Sequence, residues 1–463
     1  MKQIYWTPFR IVFPAMLASL SIGLFSASVV IADDEASDDV IQMIVDLLVD
    51  KDQDMRALGL QQVRESAKGE AATKRFTALL AQLAPEAQSA LIDALADRGD
   101  KTASAAVLEA LKSRDEPVRV ASLRALGALG DASQTSLLVQ ALSAASPAER
   151  KAAEQSLTRL IAEGVNAAIV AEMKQATPPV RVKLLGVLAA RRAADCFPAV
   201  LEAAQESNMG VRMAAMTLLG QLAGPEQVAG MLQGVLKANP GSERESAEKA
   251  VMFVCNRIAD ANKRGDPILA AFNQRSKEEQ TILLTTLGRV GGPAALKVVE
   301  EAIADQDAKQ CDAGMRALCN WPDASIAPRL LELAKTAPDA NHRIAAFRAL
   351  IRVAALRDHR SEAERLDLLK TAMEMATRDE ERNLVLQRAK AVRTVETLRF
   401  VVHYLAQPAL AQEACATVVE LAHHRKLRDS NKAEFDKALD TVIEIGKDPD
   451  VVDRAKRYKK GQT

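Results

Sequence analysis

Arg119, Arg150, Arg181 and Arg212 stand 31 residues apart, and this interval constrains the chain more than anything else in it. Seven residues after each comes Leu126, Leu157, Leu188 and Leu219. Four residues before each comes Asp115, Ser146, Thr177 and Asn208. These four types are strong helix N-caps, because a short side-chain oxygen accepts a backbone N–H that the first turn leaves unpaired. The column predicts helices beginning at 116, 147, 178 and 209. Pro147 and Pro178 take the first helical position, where a missing N–H costs nothing. Ser146 and Glu149 have capping-box spacing. Val118, Ala121, Ala125 and Leu129 form an apolar stripe of helical period. Gly130 marks the end of that helix, and Asp131 can cap a second one through Leu137, Leu138, Ala141 and Leu142. One unit is therefore helix, tight turn, helix, loop. Such a unit cannot bury its apolar face alone, so copies must stack.

The frame extends outward with slippage. Asp52 precedes Arg56 by four, Ser276 precedes Gln280, Asp305 precedes Lys309 and Asp339 precedes Arg343. Ser276 with Glu279 is a second capping box, and Asp448-Pro449 starts a further helix. Ala84 occupies the cap column, and residues 237–275 and 355–382 break the period through longer loops. Gly127 and Gly220 share a column with Gly288, where a helix crosses a neighbour closely or ends. The composition suits helices: 48% hydrophobic but only 3% aromatic, with Ala and Leu carrying the apolar content. The expected fold is all-α, a right-handed α-solenoid of about twelve stacked helix pairs over 33–463, most regular at 115–236.

The segment from Asp115 to Asp131, Asp-Glu-Pro-Val-Arg-Val-Ala-Ser-Leu-Arg-Ala-Leu-Gly-Ala-Leu-Gly-Asp, resembles the HEAT-like repeat of the phycobilin-lyase type. The segments 210–220 and 341–350 look like the same unit. The resemblance implies stacked helix pairs. It also implies that the arginine belongs to the repeat consensus. It leaves function open, since such repeats host scaffolds, adaptors and some enzymes.

Residues 1–10 carry Lys2 and Arg10 and no acid, and residues 11–32 are uncharged and mostly apolar. Val30-Ile31-Ala32 then fits a small-residue cleavage site, so 1–32 reads as a secretory signal. The apolar run is also long enough to span a bilayer, and an uncleaved anchor is the alternative. Either reading puts residues 33 onward outside the cytoplasm, in the periplasm or cell envelope, with no other membrane insertion. The cysteines are Cys196, Cys255, Cys311, Cys319 and Cys415. They read as small hydrophobes between helices, although one disulfide across neighbouring repeats stays open.

Lys plus Arg and Asp plus Glu are each 61, so no global field draws a polyanion, and nucleic acid is not an expected partner. The acidic start at 33–54 and the basic end at 454–460 read as solvated termini or as a head-to-tail contact between copies. Arg119, Arg150, Arg181 and Arg212 form either a structural column or a ladder that holds an anionic partner. No His-Glu-x-x-His occurs among His342, His359, His403, His423 and His424. The paired His-Glu motifs of deoxyhypusine hydroxylase, an enzyme built on such repeats, are also missing. Few aromatics remain to line a chromophore cleft. No cofactor, metal or catalytic residue is expected. The leading expectation is a non-catalytic scaffold in the envelope that binds a protein partner. The others are a carbohydrate or polyanion binder using the arginine column, and a metal- or cofactor-dependent enzyme.

Overall fold

The computed structural model describes residues 36–462, so the leader at 1–32 lies outside the described residues. These residues contain 27 α-helices, short 3-10 turns and no strand. They divide into two compact units, one ending at Ala106 and one beginning at Val107. In each, a first (A) helix is followed by a second (B) helix. The fold is an all-α solenoid.

The repeat register places the A helices. Glu116–Leu129, Pro147–Arg159, Pro178–Ala190 and Met209–Leu222 begin at the four expected positions. The caps divide by chemistry. Ser146 accepts from the N–H groups of Ala148 and Glu149, and Asn208 accepts from that of Val211. Asp115 and Thr177 make no such bond. Pro117 and Pro179 stand two residues after them and delete the second-position donor that a cap most often uses. The 146–149 box is half made, because Glu149 turns its carboxylate to Arg119 instead. The Ser276–Glu279 box is complete. Asp305 does not cap: the helix Ala308–Cys319 starts two residues late and is capped by Asp307, while Asp305 pairs with Lys277. Residues 237–275 hide an A helix, Ser242–Cys255, which starts after Gly241 at φ 98° without a side-chain cap.

Burial is more regular than capping. Val63 and Leu95 in the first unit are fully buried. So are Leu126, Leu157, Leu188, Leu219, Val251, Leu287, Leu318 and Leu350 in the second. Each sits at one level of its A helix, and each such side chain contributes about 2 kcal/mol on leaving water. The glycine column marks close crossings between successive A helices, and Gly127, Gly220 and Gly288 all lie inside helices. A Cβ on Gly127 would stand 3.0 Å from the Ser156 Cα, and one on Gly220 would stand 3.0 Å from the Ala250 Cβ. One on Gly288 would overlap the backbone of Ala317. All five cysteines are free, and burial pushes the Cys255 thiol up to about 12. Among the described residues no helix is long and apolar enough to cross a membrane.

Candidate functional site

The arginine column is tied into the loops. Arg119 Nη1 donates to the carbonyls of Ser113 and Arg114 at 2.9 and 2.8 Å. Arg150 Nη1 donates to those of Ala144 and Ala145 at 2.6 and 2.7 Å. Arg212 Nη1 donates to those of Glu206 and Ser207 at 2.8 and 2.7 Å. Arg56 and Arg343 repeat the pattern, reaching the carbonyls six and five residues back. Arg244 reaches the carbonyl of Ala238, also six back. These carbonyls lie at or just past the end of the preceding helix, where the α-helical ladder no longer supplies donors. The guanidinium closes each helix end onto the next A helix. Arg181 departs from the pattern: it donates to the Glu206 carboxylate, and its Nε is buried without a partner.

Carboxylates link the column across repeats. Arg119 Nε donates to Glu149 at 2.7 Å. Arg212 grips Glu243 bidentately at 2.7 and 2.9 Å, with Arg212 5% and Glu243 4% exposed. Burial pushes the Glu243 carboxyl up, but Arg212 and Asn239 outweigh it and hold it below the usual range. These two acceptors immediately precede the next column arginine, as Glu149-Arg150 and Glu243-Arg244, whereas Glu206, the acceptor of Arg181, does not. That signal lies in the sequence. Read alone, each glutamate looks like an ordinary first-turn acid.

A second set of arginines escaped the sequence reading. Arg191 Nη1 donates to the carbonyls of Leu157, Thr158 and Leu160 at 2.7–3.2 Å, at the C-terminus of the previous A helix. Arg98 does the same to Val63, Ser66, Ala67 and Gly69, and Arg352 to Cys319 and Trp321. Burial lowers the pKa of all three. Arg98 and Arg191 stand 93 residues apart, three repeat intervals, whereas Arg352 falls outside that register.

Exposed apolar side chains cluster in two places, with Ile161 at 90% and Phe253 at 56% standing outside them. The helices Asp38–Leu48 and Gln53–Glu65 of the first unit expose Met43 at 52% and Met55 and Leu58 at 43%. The second unit exposes an uncharged strip on neighbouring A helices. The exposed side chains of Pro178–Ala190 and Met209–Leu222 are uncharged, with Lys183 half-buried beside them, and Val182, Met209 and Met213 stand out among them. Val182 Cγ2 lies 3.6 Å from where a Cβ on Gly210 would be, so the two helices form one surface. The A helices on either side carry charge: Lys151, Glu154 and Arg159 on one, Glu245 and Lys249 on the other.

Polar clusters are largely self-satisfied. An open recess of 530 Å³ is lined by Lys370, Arg399, Phe400, His403 and Tyr404, among others. Its cations are already paired, Arg399 with Glu434 and Lys370 with Asp367. His423 Nδ1 lies 2.9 Å from the Tyr458 hydroxyl, and His342 pairs with Asp312 at 2.7 Å. Among the described residues no group of three or more His, Cys, Asp or Glu could hold a metal ion.

Known proteins place this geometry. Residues 72–158 and 166–252 match the family model for HEAT repeats. The chain carries HEAT repeats. The solved structure of the karyopherin Kap121p bound to the SUMO protease Ulp1p resembles it with a TM-score of 0.51 at 12% identity, over 92% of this chain and 54% of that one. A crystal structure of Kap121p gives 0.48 at 12% identity, over 90% and 53%. Importin beta in an ammonium sulfate condition gives 0.42 at 14% identity, over 90% and 60%. The HEAT-repeat chain thus spans about half the length of the solved structures it matches, and the likeness is one of fold. A comparison with curated proteins finds no match.

Proposed function

We propose that this HEAT-repeat solenoid is a non-catalytic scaffold that binds a protein partner on its surface, outside the cytoplasm in the periplasm or cell envelope. The observation that carries the reading is the division of labour among its side chains. The column guanidiniums are engaged with carbonyls and carboxylates inside the fold, which leaves them few donors for an anionic polymer. Arg212 is almost fully covered. Met43, Met55 and Leu58 meanwhile present apolar surface beside acidic residues, a mixture that suits a protein partner better than a polysaccharide. Kap121p, of similar fold, has been solved bound to the SUMO protease Ulp1p. The likeness of the repeats to the phycobilin-lyase type is read as a likeness of scaffold. Export rests on the leader pattern of residues 1–32.

Affinity capture from the native envelope tests this reading when the full chain is compared with a Met55→Glu/Leu58→Glu variant. The expected result is a stoichiometric protein that the variant fails to retain. Recovery of an anionic polymer, equally by both chains, would overturn it. Fractionation of cells carrying the full chain tests the location, and a cytoplasmic pool alone would contradict it.

A further inference from the structure

The uncharged strip on Pro178–Ala190 and Met209–Leu222 has no task in holding the repeats together. Its exposed residues face away from the buried leucine column, and monomers rarely leave a contiguous apolar patch between charged flanks without a use for it. The repeat register fixes what lies beside it. Lys151, Val182, Met213 and Glu245 each follow a column arginine by one residue and stand at one level of four successive A helices. Arg244 belongs to the column because it reaches the carbonyl six back, as Arg150 and Arg212 do. Two turns further along, Arg159, Ala190, Gln221 and Phe253 stand at a second level, with Phe253 56% exposed.

Across the first level the order is basic, apolar, apolar, acidic. Reversing the order places basic against acidic and apolar against apolar. The surface is therefore complementary to itself about a line between the two central helices. A twofold axis along that line lays Val182 on Met213 of the second copy and Lys151 on Glu245 of the second copy. At the second level it lays Arg159 on Phe253 of the second copy, a cation–π contact. Lys151 and Arg159 have no ion pair in the chain among the described residues. Glu245 keeps Lys249 at 3.0 Å and Arg289 at 3.5 Å. Four helices about 20 Å long, spaced about 10 Å apart, offer roughly 800 Å² per copy, the size of a standard stable interface.

We propose that this strip is an isologous interface through which two copies of the chain associate. Residue i of one copy meets residue j of the other, and j meets i, which gives every contact twice. The association does not depend on a partner binding elsewhere on the scaffold.

Sedimentation equilibrium of the full chain over the micromolar range tests it, with circular dichroism showing that each variant is folded. The wild type is expected to be a dimer, and Met213→Glu to raise the dissociation constant about tenfold or more. Lys151→Glu alone weakens the dimer, as does Glu245→Lys alone, whereas the double variant recovers it because the pair is restored with its signs exchanged. A monomeric wild type would overturn the proposal. So would a dimer indifferent to Met213→Glu, or a double variant no tighter than its parents.

Discussion

Gly127 lies against Ser156 on the next A helix, so close that a Cβ at Gly127 would stand 3.0 Å from the Ser156 Cα. The Ser156 hydroxyl donates to the carbonyl of Leu123 at 2.6 Å, across the same crossing. A small residue on one side and a hydroxyl on the other let two helix backbones meet. Close crossings recur without a hydroxyl, with alanine opposite the glycine, at Gly220 and Ala250 and, most tightly, at Gly288 and Ala317.

Gly288→Ala is therefore expected to destabilise the fold by about 1–3 kcal/mol, the usual cost of overpacking, despite alanine's better helix propensity. Gly186 supplies the control. It sits inside the helix Pro178–Ala190, is exposed, and has nothing within 4 Å of its Cβ position. Gly186→Ala should stabilise by about 0.5–1 kcal/mol. Urea unfolding of the two variants measures both signs.

Leu157 and Leu188 are fully buried. Replacing either with Ala removes its transfer energy and leaves a cavity, at an expected cost of about 2–5 kcal/mol. Silent changes in thermal melts would contradict the stacked-column account.

Column arginines should differ according to what they leave behind. Arg150→Ala loses bonds to two loop carbonyls that water can reach, an expected cost of about 1 kcal/mol. Arg212→Ala strands the buried Glu243 carboxylate, an expected cost of about 3–5 kcal/mol, nearer the lower figure because Asn239 still donates to it. Denaturant titration of the two variants gives the ranking.

Glu243 also sets a pH dependence. Burial raises its pKa, but Arg212 and Asn239 outweigh that and leave the folded value depressed. Its stabilisation is present above the ordinary glutamate value and is lost as pH falls through the folded one. Glu248 has the opposite sign: burial raises it despite Arg289, so its contribution is present below the ordinary value and is lost as pH rises. Melting temperature against pH should flatten on the acid side for Glu243→Gln and steepen for Glu248→Gln.

The sequence showed most clearly what one repeat settles locally. The cap and leucine columns located the A helices at 116, 147, 178 and 209, because both signals act within a single helix. Legibility failed where a second repeat decides the outcome. Two further failures are local: Asp115 and Thr177 looked like caps but are followed by second-position prolines in their own helices. Glu149 looked like a capping-box partner, yet its carboxylate pairs with Arg119 one repeat away. The A helix Ser242–Cys255 was missed because Gly241 replaces its cap and Arg244 falls a residue out of period. The Arg98, Arg191 and Arg352 clamps reach about one repeat back, so their acceptors are a tertiary fact that the 93-residue spacing of Arg98 and Arg191 does not reveal. Of the interaction surface, the arginine column was visible, but its engagement with loop carbonyls is a tertiary fact. The neutral strip becomes visible only once burial separates exposed from core residues on apolar helices.

The central claim is that this HEAT-repeat chain holds a protein through apolar surface rather than an anionic polymer through its arginines. The most direct measurement is the affinity of the captured partner for the full chain across a range of salt concentrations, repeated with Leu58→Glu and with Arg150→Ala. The account predicts a shallow salt dependence, a clear loss with Leu58→Glu and little change with Arg150→Ala. A steep fall in affinity with salt, together with loss in Arg150→Ala but not in Leu58→Glu, would contradict it.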